Sequence, residues 1–334
     1  MFSTQTVTTP QTAGPRPERA NVWLHRYAVL VAVCTGILVF AGGLVTSTGS
    51  GLSVPDWPLS YGMVFPPMVG NVRFEHGHRM VATTVGLMTI VLAVWLQRRE
   101  SRPRVRKLGW LALAAVVLQG LLGGLTVLLL LPPAVSVAHA CLGQTFFCIA
   151  VAIAIFTSSG WRHAPPAVLA PTPGLSLRTA ALVSTAAVFL QLVLGAFMRH
   201  TGAGLAIPDF PLAFGRLVPA FTTAGVAVHY AHRVLGVVVA LCVATTAAVA
   251  LRTHRDQPLL LGPAVLLPCL VVAQILLGGI TVWSAKAVVP TTLHVLNGAV
   301  ILSTSLMLLL RSFQLLHVES VRRAHDFGPH AVTS

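Results

Sequence analysis

Four histidines and one glutamate draw attention because each falls where an imidazole or a charge is costly. His78, His139, His232 and His294 sit a few residues inside one end of four long apolar runs. An imidazole in a hydrocarbon layer needs a polar partner, a water-lined cavity or a metal. His78 and His139 belong to one half of the chain, His232 and His294 to the other. At a rise of about 1.5 Å per residue all four lie within roughly 10 Å of the same membrane boundary. Two imidazoles at one depth on two helices of a four-helix bundle are what bis-histidine ligation of a haem requires. A single such histidine is as well explained by an interhelical hydrogen bond, but four at matched places are not. Zinc fits less well, because neither half clusters the thiolates or carboxylates that would complete four ligands.

Arg79 and Arg233 directly follow two of these histidines. They are candidate contacts for haem propionates, or else they snorkel to the outer headgroups. Glu75 precedes His78 by three residues, which places it on the same helical face one turn nearer the outside. Its counterpart in the other half is His229. A carboxylate beside a haem can accept a proton or stabilise a developing cation, whereas a first-turn glutamate also simply suits the helix dipole. The asymmetry suggests a reacting haem in the first half and a permanent one in the second. His76, His25, His163, His254, His317, His325 and His330 read as solvated surface residues, and His200 and His229 receive no role. Asp56 and Asp209 fall in Pro-Asp-aromatic-Pro turns, where a turn function outweighs catalysis. Gly123-Gly124 and Gly278-Gly279 read as sites of close helix packing.

The elements that must position these residues are helices. Apolar runs long enough to cross a bilayer, about 20 residues, occupy about 24–45, 75–97, 108–130, 134–157, 177–199, 226–251, 260–283 and 290–312. Basic residues crowd the link after the second run (Arg98, Arg99, Arg102, Arg104, Arg106, Lys107) and follow the sixth and eighth runs. The positive-inside rule then places both termini in the cytoplasm of a multi-pass cell-membrane protein. The long links after runs one and five face outward, and they are alike. Thr48-Gly49-Ser50-Gly51-Leu52-Ser53-Val54-Pro55-Asp56-Trp57-Pro58-Leu59 returns 153 residues later as Thr201-Gly202-Ala203-Gly204-Leu205-Ala206-Ile207-Pro208-Asp209-Phe210-Pro211-Leu212. His78-Arg79, Gln119, Gly123-Gly124 and His139 recur as His232-Arg233, Gln274, Gly278-Gly279 and His294.

So small a drift in offset across a whole half means two homologous four-span units, and an even span count gives both the same orientation. The expected fold is all-α and membrane-integral, with eight helices in two tandem, pseudo-symmetric four-helix bundles. A disordered cytoplasmic tail covers 1–20, the first bundle 21–160, a cytoplasmic linker 161–176, the second bundle 177–315 and a cytoplasmic tail 316–334. Composition agrees: 55% of the 334 residues are hydrophobic and 9% charged, with mean hydropathy +0.81, which leaves too little polar surface for a water-soluble globule. The formal charge of +14 belongs to the cytoplasmic links, so no nucleic-acid partner is implied. The five cysteines lie in apolar stretches without metal-ligand spacing.

The outer-loop motif, Glu75-His76-Gly77-His78-Arg79, the single His139 and their second-half echoes resemble the haem A synthase family across all eight spans. The resemblance implies an oxidoreductase that converts the C8 methyl of haem O to the formyl of haem A for terminal oxidase assembly. It further implies Glu75 as catalytic carboxylate, His78 and His139 as ligands to the substrate haem, and His232 and His294 as ligands to a resident haem b. Candidate partners are a haem O synthase, oxidase assembly proteins and an unidentified electron acceptor. The sequence departs from the family in two respects. Val54 and Ser60, and again Ile207 and Ala213, stand where many bacterial members are expected to carry cysteines, and Thr46 stands opposite Arg199 where arginine is expected in both halves. The rival reading is a di-haem membrane cytochrome b that passes electrons, for instance to quinone, without altering haem. It predicts symmetric units, and the Glu75/His229 difference argues against it. A transporter would place its site at the midplane.

Overall fold

The computed structural model describes residues 21–162 and 175–326, with side chains described to residue 315. Eight long helices carry the fold: α1 (Val22–Ser47), α2 (Val72–Arg99), α3 (Pro103–Leu128), α4 (Pro133–Thr157), α6 (Leu177–His200), α7 (Ala224–Thr253), α8 (Pro258–Trp283) and α9 (Val288–Asp326). A single helical turn, α5 (Ser159–Arg162), follows α4. All eight long helices are long and apolar enough to cross a membrane. Their starts are chemically marked. The side chains of Asn21, Ser176 and Thr223 accept the N–H of Leu24, Thr179 and Val226. Prolines open α3, α4 and α8, where a missing N–H costs nothing. α9 continues to Asp326, through the start of the segment assigned to a tail. Residues 1–20, most of the assigned linker and 327–334 lie outside the described residues, as do His163 and His330.

The helices form two rings. In the first, α1 packs on α2, α2 on α3, α3 on α4 and α4 back on α1; α6, α7, α8 and α9 repeat the circuit. The rings meet along a seam where α1 touches α9, α4 touches α6, and α4 touches α9. Because α1 corresponds to α6 and α4 to α9, these contacts exchange under a two-fold operation whose axis passes between α4 and α9. The repeat extends to the tight turns: Leu130 and Leu131 adopt positive φ between α3 and α4, as Ala285 and Lys286 do between α8 and α9.

The large apolar cluster of each ring lies toward one end. In the first, the buried apolar cluster comprises Leu24 to Ala32 of α1, Val85 to Leu96 of α2, Val105 to Ala115 of α3 and Phe146 to Ala154 of α4. In the second it runs from Leu177 to Val188, Val239 to Ala250, Leu260 to Val271 and Ile301 to Leu315. All of these segments lie toward the side assigned to the cytoplasm. The opposite end of each ring holds the histidines. Leucine, isoleucine and valine instead cover the outward faces of the rings, as at Ile37, Leu87, Leu118, Leu190, Val237 and Leu276, where lipid replaces a protein neighbour.

Candidate functional site

His78 on α2 and His139 on α4 stand diagonally across the first ring, His232 on α7 and His294 on α9 across the second. All four are half-buried. Each ring edge rests on a glycine of a neighbouring helix. A Cβ built at Gly42, Gly123, Gly195 or Gly278 would come within 3.1, 3.1, 2.9 and 3.1 Å of Cε1 of His78, His139, His232 and His294 respectively. The second glycine of each pair seats a loop aromatic: a Cβ at Gly124 would lie 2.6 Å from the Trp57 ring, and one at Gly279 2.9 Å from Phe210. The paired glycines thus receive side chains rather than a bare helix backbone, a correction to their expected role.

A glutamine secures three of the four sites. Gln119, Gln191 and Gln274 donate through Nε2 to the backbone carbonyls of His139, His232 and His294 at 2.8, 2.9 and 3.0 Å. The amide nitrogens of Gln119 and Gln191 also lie 3.4 Å from the ring Nε2, long for a hydrogen bond, so the bond to the carbonyl is the firm one. His294 Nδ1 faces the Gln274 carbonyl at 3.1 Å. Donation there leaves Nε2 as the free nitrogen.

The long loops after α1 and α6 fold back onto the same helices. Glu75 is buried; Oε1 pairs with Arg79 Nη2 at 2.7 Å and Oε2 accepts the Val54 N–H at 2.8 Å. In the second ring His229 Nδ1 accepts the N–H of Ile207, the equivalent residue, at 3.2 Å. The arginines do not snorkel to headgroups. Arg79 donates to the carbonyls of Asp56, Leu59 and Val54, and Arg233 to those of Leu212, Asp209 and Ile207. The loops present several carbonyls at a membrane end where no helix can satisfy them, and a guanidinium with five donors does so. Arg233 Nε remains buried without a partner.

Asp56 and Asp209 are turn residues as expected: their carboxylates accept the N–H groups of Tyr61 and Gly62, and of Phe214 and Gly215. Val54, Ser60, Ile207 and Ala213, at the places considered for cysteines, are almost fully buried. His76 and His254 are buried, contrary to the expectation of solvated surface residues. The loop covers His76, whose Nδ1 lies 2.8 Å from Ser60 Oγ. Its second-half counterparts are Tyr230 and Ala213, so this pair exists only in the first ring.

Sequence reasoning noted Gln119 and Gln274 but missed Gln191, Gly42 and Gly195. The available signal was a glutamine four residues before a glycine, present at 119/123, 191/195 and 274/278. Together these groups suit a haem. Nδ1 of His78, His139 and His232 and Oε1 of Gln119 and Gln191 are buried without partners, the apolar clusters in the core of each ring stop short of them, and each ring carries one histidine on each of two diagonal helices. Among the described residues no three His, Cys, Asp or Glu side chains converge as they would on a bare metal ion.

Two same-orientation four-helix rings, each with a diagonal histidine pair toward the same end, define an internally duplicated, eight-span membrane protein. The family model described as cytochrome oxidase assembly protein (COX15-CtaA) matches residues 25–73 and 69–306, and the chain belongs to that family. The chain is 29% identical over 284 residues to the Heme A synthase of Alkalihalophilus pseudofirmus, covering 84% of this chain and 94% of that one. It is 27% identical over 289 residues to the Heme A synthase of Halalkalibacterium halodurans, covering 84% and 95%. A Heme A synthase from Symbiobacterium thermophilum is 33% identical over 201 residues, 59% of this chain and 65% of that one.

Proposed function

We propose that this protein is a haem A synthase, which oxidises the C8 methyl of haem O to the formyl group of haem A for terminal oxidase assembly. The observation that carries the reading, beside family membership, is that one buried carboxylate, Glu75, occupies the first ring where the second has neutral-capable His229. In this reading haem O enters the first ring from the lipid and His78 and His139 take its iron. Glu75 is held at both oxygens, so it presents a fixed negative charge in a water-poor site, where such a charge most strongly stabilises cationic character at the reacting carbon. Its remaining lone pairs can accept a proton from that carbon as oxidation proceeds.

His232 and His294 would hold a resident haem b in the second ring, which would supply electron transfer there when bound. Arg233 Nε, buried without a partner, would be the donor left for a propionate. Arg79, occupied by the loop, shapes the first site by fixing Glu75. Both termini are cytoplasmic and the two loops face outward.

The test is co-expression with a haem O synthase, followed by haem extraction and chromatography of wild type and Glu75→Ala. Haem A from the wild type, with haem O or a hydroxylated intermediate accumulating in the variant, is the expected result. Recovery of haem b alone from both would leave the electron-transferring cytochrome as the better account.

A further inference from the structure

We infer that His78 is the releasable axial ligand of the first ring, so that a porphyrin enters and leaves by parting from α2 while it stays held on α4. The inference rests on the proposed function for its substrate. Its physical basis is the glutamine clamp, present at three histidines and missing at the fourth.

The clamp has two parts. One helix contributes a glutamine four residues before the glycine that seats the imidazole. The histidine's own helix contributes a second glycine, four residues after the histidine, over which the amide lies: Gly143, Gly236 and Gly298. A Cβ built there would come within 2.9, 3.4 and 3.4 Å of Nε2 of Gln119, Gln191 and Gln274, so glutamine and glycine belong together.

At His78 the seat survives, since Gly42 still meets the ring. The glutamine position is Leu38 and the second glycine position is Ala82. Both halves of the clamp are changed together, as the steric coupling allows: without the amide, a Cβ is tolerated. Among the described residues Nδ1 of His78 is buried without a hydrogen-bond partner, and its backbone carbonyl receives no glutamine donor of the kind that reaches His139, His232 and His294. A histidine whose backbone is not tied to the neighbouring helix by that bond, on an otherwise repeated scaffold, is the one free to part. The second ring has both clamps, which suits a group that never leaves. The first ring has one, at His139, which suits a group that must be exchanged yet not lost midway.

The experiment is haem transfer from the purified full-length protein to excess apomyoglobin, followed by absorbance. Wild type is expected to release haem in two phases. Leu38→Gln/Ala82→Gly, which installs the clamp at His78, should slow the faster phase by about five- to tenfold, the worth of one hydrogen bond, and leave the slower phase alone. Gln191→Leu should hasten the slower phase by a similar factor. An unchanged faster phase in the first variant overturns the inference. If that variant binds no haem, Gln191→Leu decides, and an unchanged slower phase overturns it. The synthase reading falls separately: a protein that makes no haem A but shows these shifts loses that reading and keeps this one, while haem A formation with one common release rate does the reverse.

Discussion

Glu75 and His229 accept the same backbone donor at equivalent points of two loops, yet only the carboxylate brings a full charge that needs Arg79 to balance it. Glu75→Gln is therefore informative: its amide oxygen still accepts from Val54, but the fixed charge is gone. Haem A formation should fall by about a hundredfold, the order seen when one preorganised electrostatic group is removed, with the first loop still protected from protease. The turn aspartates give a pH dependence. The N–H of Gly62, helped by that of Tyr61, holds the Asp56 carboxyl below the usual carboxylate range, and the N–H groups of Gly215 and Phe214 do the same for Asp209. Groups with depressed folded values stabilise the fold at and above the ordinary value of about 4 and lose that contribution as pH falls through the folded value. Loop proteolysis should rise below about pH 4 and be less pH-dependent there in Asp56→Asn/Asp209→Asn. At this scale histidine and glutamate were legible because both are rare in membrane spans. Gln191, Gly42 and Gly195 were not, since glutamine and glycine acquire meaning only from the helix opposite.

Helices announced themselves in the sequence by length and hydropathy, and the observed spans differ from the expected ones by a few residues at most ends, α9 excepted. What hydropathy could not show is which end of each ring is packed, because leucine facing lipid and leucine facing a core read alike. Nor could it show that the outer loops turn inward: Trp57 and Phe210 lie over glycines of α3 and α8, and a motif repeated twice says only that a shape is repeated. Gly124→Val and Gly279→Val each place a side chain where a ring now sits. Displacement of the first loop should free Val54 from Glu75, so Gly124→Val is expected to reduce haem A formation, while Gly279→Val should chiefly loosen the second loop. Limited proteolysis and haem chromatography on the two variants check this.

At the level of the whole molecule the seam joins the rings through specific polar contacts. Arg199 at the end of α6 donates to the Gly43 carbonyl at 3.2 Å and to Ser47 Oγ at 2.9 Å on α1, and Thr292 of α9 donates to the same Ser47 at 3.0 Å. Ser47→Ala leaves the half-buried guanidinium short of an acceptor, which costs about 1–3 kcal/mol and should lower the thermal midpoint of the haem-loaded protein in detergent. Orientation is checked by reporters fused to each end, both expected to register the cytoplasm. The duplication was legible at this scale because two loops share a twelve-residue motif. The seam was not, since Thr46 and Arg199, or Ser47 and His200, occupy matched places with unlike chemistry.

That unlikeness bears on ancestry. A two-fold arrangement of like-oriented units is the shape that a homodimer joined by duplication and fusion of its gene would take. Were two second units to pair in the old manner, each Arg199 would face the His200 of its neighbour in place of the Ser47 hydroxyl, and two first units would bring no arginine at all. With those positions unlike, the Arg199–Ser47–Thr292 contacts of the seam form only between one first unit and one second unit.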